Sequence, residues 1–112
     1  MITNCLHRKS LLKKLKKISI PSKKEICGFI LGEDFLQKEN IHPDPERFFL
    51  VNPCDCVWDE GVILFHSHPD NIKLKGFSDW DLENQKYFEL DMLLYSVNNN
   101  KFYFKKYDIS SF

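Results

Sequence analysis

The sequence predicts an α+β domain, a small mixed β-sheet with a helix on each side. Three observations predict it. Leucines at helical spacing, with lysines between them, open the chain. Short apolar runs of strand length follow, bounded by glycine, proline and charge. A serine-initiated helical stretch then separates the last of those runs from a closing hairpin pattern. The chain has 112 residues, 43% hydrophobic and 29% charged, so one domain over residues 1–112 is expected and intrinsic disorder is excluded.

The first helix is expected over about residues 4–17. Leu6, Leu11, Leu12, Leu15 and Ile18 line one side, and Pro21-Ser22 ends it. Residues 25–32, Glu-Ile-Cys-Gly-Phe-Ile-Leu-Gly, read as a buried strand. A polar loop with Pro43 and Pro45 is expected next, then a second strand at residues 47–51. Gly61-Val62-Ile63-Leu64-Phe65 is the third strand and runs straight into two histidines. A loop carries Pro69 to Gly76. Ser78 suits a helix N-cap, with Asp81 at the third helical position, and that helix is expected to reach about Leu90. Residues 91–97, a turn at Asn98-Asn99-Asn100, and residues 101–107 complete a hairpin.

Formal net charge is zero, from 16 basic and 16 acidic residues, which argues against a polyanionic partner such as nucleic acid. The distribution is uneven. Residues 1–24 hold eight basic residues and no acid, which reads as the solvated face of the first helix. No apolar run reaches the roughly 18 residues of a membrane span. The start carries no secretory signal pattern, so the four cysteines are expected in a reduced, cytoplasmic setting. Cys54-Asp55-Cys56 has the wrong spacing for a zinc knuckle, and Cys27 reads as a small buried residue.

The chemistry concentrates around His66-Ser67-His68-Pro69 and Ser78-Asp79-Trp80-Asp81. Histidines at i and i+2 on a strand point to one side. A catalytic zinc takes three protein ligands and keeps a fourth position open. A carboxylate from the first turn of the next helix can be the third ligand, and Asp81 and Asp79 are both available. Ser78 can donate to a developing oxyanion. Glu25, at the edge of the first strand, is the candidate base, because a neighbouring strand can bring it beside the histidines. His7 and His42 read as ordinary surface or core histidines. Trp58, Trp80 and the ten phenylalanines read as packing residues, and Lys73 and Lys75 as solvated loop charges.

Taken in order, Glu25-Ile26-Cys27-Gly28-Phe29, His66-Ser67-His68-Pro69 and Ser78-x-x-Asp81 resemble the motif of the JAMM (MPN+) metalloprotease family. Within that family the chain is most similar to the N-terminal domain of phage tail-assembly proteins, over about residues 8–107. Asp44-Pro45-Glu46-Arg47-Phe48-Phe49 adds to that likeness. The resemblance implies an MPN, cytidine-deaminase-like α/β sandwich. It implies zinc on His66, His68 and Asp81, a proton relay by Glu25, and oxyanion stabilisation by Ser78. The implied reaction is peptide or isopeptide hydrolysis of a tail protein. Trimming of a ubiquitin-like or sulfur-carrier protein, or a non-catalytic MPN scaffold for protein interaction, are the other readings. The implied location is the host cytoplasm or the virion tail. The family spacing places seven residues between the second histidine and the serine, whereas nine, residues 69–77, stand here. A two-residue loop insertion keeps Ser78 and Asp81 in role; without it Asp79 takes the ligand position and Gly76 the serine position. The cysteine-peptidase domain that follows in the longer tail proteins has no counterpart in this sequence.

Overall fold

The computed structural model describes residues 9–53 and 59–111. Helix α1 (Lys9–Ser19) buries Leu11, Leu15 and Ser19, one residue per turn, and leaves Lys9, Lys13, Lys14 and Lys17 in solvent. Strand β1 (Cys27–Leu31) turns through Gly32, at φ +63°, into β2 (Asp34–Lys38). That positive φ suits glycine, and the two strands pair antiparallel with Leu31 opposite Asp34. Strand β3 (Ile63–His68) is buried along its whole length. Helix α2 (Asp79–Phe88) leads into β4 (Asp91–Ser96), and a turn ending at Asn100 returns the chain as β5 (Lys101–Lys105). A single 3-10 turn covers Ile109–Ser111.

The sheet order is β2-β1-β3-β4-β5. The β3–β4 pair is parallel and the others antiparallel, so the sheet is mixed. A parallel pair needs a crossover, and α2 provides it. Side-chain alternation then divides the core in two. Ile30, Ile63, Phe65, Leu93 and Tyr95 face α1 through Leu11 and Leu15. Cys27, Phe29, Leu64 and Met92 face the other way, where Phe49, Phe88 and Trp80 cover them. Each fully buried large side chain contributes about 1.5–3 kcal/mol. His66 and His68 continue the Leu64 row, so β3 delivers both imidazoles to the α2 side.

The structure corrects two expectations. The polar stretch after β1 contains a strand, β2. It sits at the sheet edge with three of five residues exposed, Leu36 among them, so Phe35 is its one apolar residue packed on the core. Residues 47–51 are not a strand. Their side chains do alternate in the fold, with Phe49 and Val51 buried and Phe48 and Leu50 exposed. However, it is an irregular segment laid on α2: Leu50 N–H donates to Asn40 Oδ1, and its carbonyl accepts from Ile41 N–H. The remaining shifts lie at element ends. Helix α2 stops at Phe88 because Glu89 takes a left-handed conformation, and β5 ends at Lys105. Cys5, Leu6, His7, the Cys54-Asp55-Cys56 stretch and Trp58 lie outside the described residues. No helix among the described residues is long and apolar enough to cross a membrane.

Gly28 admits the Phe35 ring across β1. A Cβ there would run into the Leu36 carbonyl oxygen and stand 2.8 Å from the Phe35 ring. Because one obstacle is backbone, the side chains alone cannot relieve the clash. Gly28→Ala is therefore expected to destabilise the fold by about 1–3 kcal/mol in denaturant unfolding. Leu36→Ala, at the exposed edge, should stay within about 0.5 kcal/mol of wild type.

Candidate metal centre

Helix α2 begins with a complete capping box. Asp81 N–H donates to Ser78 Oγ at 3.1 Å, and Ser78 N–H donates back to Asp81 Oδ2 at 2.9 Å. The box fixes the Asp81 carboxylate on the side of the helix that faces β3. Its Oδ1 lies 3.0 Å from His66 Nε2 and its Oδ2 lies 3.0 Å from His68 Nε2. One carboxylate thus spans both imidazoles. Asp79, the other available carboxylate, points into solvent.

Glu25 arrives by register. Cys27 stands opposite His66, and Ser67 N–H bonds to Ile26 O at 2.9 Å, so the pairing continues past the formal strand. Two residues before Cys27, Glu25 comes opposite His68 on the same face. Ile26 N–H does not take a backbone carbonyl there; it donates to Ser67 Oγ at 2.9 Å. The ligand atoms of Glu25, His66, His68 and Asp81 all lie within 4.8 Å of one another. These four residues can hold a metal ion. Their relative exposures are 3%, 0%, 2% and 1%, so water competes little for them.

His66 Nε2 and Oε1 of the Glu25 carboxylate are unpaired where a cation could meet them, while the Nδ1 atoms of both imidazoles are unpaired on the far sides of their rings. Glu25 Oε1, His66 Nδ1, His66 Nε2 and His68 Nδ1 have no hydrogen-bond partner. The 3.0 Å contact of His66 Nε2 with Asp81 is therefore close without being aligned as a hydrogen bond. Unpaired buried polar groups are rare and unfavourable by about 1–3 kcal/mol each. Two nitrogens and two carboxylates in one buried cluster form a donor set suited to zinc and similar divalent ions.

Electrostatics describes the same cluster without a cation. Burial lowers the His66 imidazole below its ordinary range, with Asp81 pulling against that shift. Burial would raise Asp81, but the two imidazoles outweigh it and hold the carboxyl well below the usual range. Glu25 is pushed up to about 10, first by burial and then by the Asp81 charge. The cation-free cluster thus carries a proton on Glu25 where a metal ion would otherwise supply positive charge. Cys27 beneath it is pushed up to about 12 by burial and the Glu25 charge, so it remains a packed thiol.

Phe49, which the sequence reading placed on a strand, lies over the centre. Its ring stacks on His66 with centroids 4.6 Å apart and planes 20° from parallel. Trp80 Nε1 holds the Phe49 carbonyl at 2.7 Å. Trp80 also packs edge-on against His42 and Phe48, so His42 is half-buried among aromatic rings. The sequence signal for this cover is the short apolar run Phe48-Phe49-Leu50-Val51, which reads as a strand and folds as an irregular segment. A hollow of about 210 Å³ reaches Glu25 between Ser22, Lys24 and residues 37–40. A more apolar groove, beside Trp80 and Phe88, contains none of the four cluster residues. No protein-family model and no curated protein matches the chain.

Two predictions follow from this geometry. The chain should bind one divalent ion, and His66→Ala, His68→Ala and Asp81→Ala should each abolish that binding in elemental analysis. Asp79→Ala should bind as wild type does. The second concerns the metal-free protein. The folded chain holds the Glu25 proton up to about pH 10, whereas the unfolded chain releases it above the ordinary value of 4.5. Folding stability therefore falls as pH rises through that window. Glu25→Gln removes the effect. Metal-free wild type should lose about 3 kcal/mol relative to this variant between pH 4.5 and pH 7, read by denaturant unfolding.

Proposed function

We propose that the chain is a zinc-dependent peptidase or isopeptidase of the JAMM type, with an MPN fold, processing a protein in phage or prophage tail assembly. The observation that carries the reading is the buried Glu25–His66–His68–Asp81 cluster with its unpaired polar atoms. The mixed sheet with a helix on each face supports the MPN fold, and the motif order supports the family. The tail-assembly substrate rests on the resemblance of residues 8–107.

In this reading His66, His68 and Asp81 hold the zinc ion. When bound, zinc supplies Lewis acidity and brings the pKa of a water to about 7. Peptide hydrolysis places the water oxygen on the carbonyl carbon and one proton on the departing nitrogen. The Glu25 carboxylate accepts that proton from the attacking water and delivers it to the amine. Ser78 Oγ uses a lone pair for Asp81 N–H and keeps its own hydrogen, which it donates to the developing oxyanion. The four groups are nearly closed off, so the substrate reaches them as an extended segment or tail.

The test pairs metal content with turnover of linear and isopeptide-linked substrates. Glu25→Gln keeps the side-chain size but cannot accept the proton. It should retain zinc at wild-type occupancy and lose about 10²–10⁴-fold in rate. Loss of zinc with loss of activity would make Glu25 a ligand. Full zinc with full activity would remove it from the chemistry.

A further inference from the structure

Glu25 precedes the regular ladder of β1, and its backbone is held from outside the sheet. Its N–H donates to Pro45 O at 2.7 Å, and its carbonyl accepts from Asn40 Nδ2 at 3.0 Å. The same Asn40 amide nitrogen reaches Phe48 O at 3.0 Å and Pro45 O at 3.2 Å. Asn40 Oδ1 accepts from Leu50 N–H at 3.0 Å and from His42 N–H at 3.2 Å. One side chain therefore ties Glu25 to both arms of the 40–50 segment, which carries Phe49 onto the His66 ring. The job needs two donor hydrogens and an acceptor at the end of a short stem. Aspartate lacks the donors, serine lacks the reach and alanine lacks both.

We infer that Asn40 is a positioning residue for the proposed reaction, setting Glu25 against the two histidines and holding residues 40–50 as a preformed cover over His66. The inference rests on the peptidase reading given above. It differs from a purely structural role in what it leaves intact. His66, His68 and Asp81 stand on β3 and α2, and Asn40 makes no hydrogen bond to any of them. Ser67 Oγ holds Ile26 independently of Asn40. The strands and the three zinc-holding residues therefore keep their places when the Asn40 amide is removed, while Glu25 loses one of its two backbone anchors.

The experiment measures zinc content, kcat and KM for Asn40→Ala in the wild-type and Glu25→Gln backgrounds, on the substrate that zinc-loaded wild type hydrolyses. Asn40→Asp, which keeps an acceptor for Leu50 and His42, serves where the alanine variant fails to fold. The role predicts unchanged zinc and a fall in kcat of about 10–100-fold with KM little altered. It also predicts no further fall when Asn40→Ala is added to Glu25→Gln, because the group being positioned is already disabled. An equal loss in both backgrounds, or loss of zinc, would overturn the positioning role and leave the peptidase reading standing. A wild-type chain without metal-dependent hydrolysis would overturn the peptidase reading, and this role with it.

Discussion

The Asp81 carboxylate, shared between two imidazoles and the start of a helix, is the contact on which the rest of the structure turns. Its Oδ1 faces His66, and its Oδ2 faces both His68 and the Ser78 amide. That single group fixes where α2 begins relative to the end of β3. The parallel β3–β4 pair then follows, because α2 is the crossover that returns the chain. Trp80, one residue before Asp81, pins Phe49 over His66 from the same helical turn. Helix start, strand end and covering loop thus share one anchor.

Such an anchor is unfavourable by itself. A buried carboxylate with two buried imidazoles gathers desolvated groups whose polar atoms are not all paired. Without a cation, the cluster remains tolerable by keeping a proton on Glu25. A divalent ion would satisfy the lone pairs that face the cluster and balance its negative charge. Stability and ion binding are linked here: the residues whose burial is unfavourable without a cation are those that can hold one. The two packed faces of the sheet supply the apolar burial that lets the fold carry this load.

Much of this was legible in the sequence, for identifiable reasons. Strand β3 announced itself by an unbroken apolar run, and its period of two put His66 and His68 on one face. Ser78 and Asp81 carried a capping signature, which located α2; the choice between Asp79 and Asp81 stayed open in the sequence, and the folded capping box turns Asp81 inward while Asp79 is exposed. Strand β2 was not legible, since an edge strand with mostly exposed polar residues lacks the pattern that burial imposes. The 47–51 stretch misled because a short apolar run reports burial, whatever partners the backbone takes. Asn40 gave no signal at all. Its bonds run to carbonyls and amides that only the folded loop brings together.

X-ray absorption at the zinc edge of the loaded protein tests the central claim most directly. The account predicts one zinc per chain in a shell of nitrogen and oxygen atoms at about 2.0–2.2 Å, with the multiple-scattering pattern of two imidazoles. A sulfur shell at about 2.3 Å would place the ion on the cysteines instead, and would contradict the assignment of His66, His68 and Asp81.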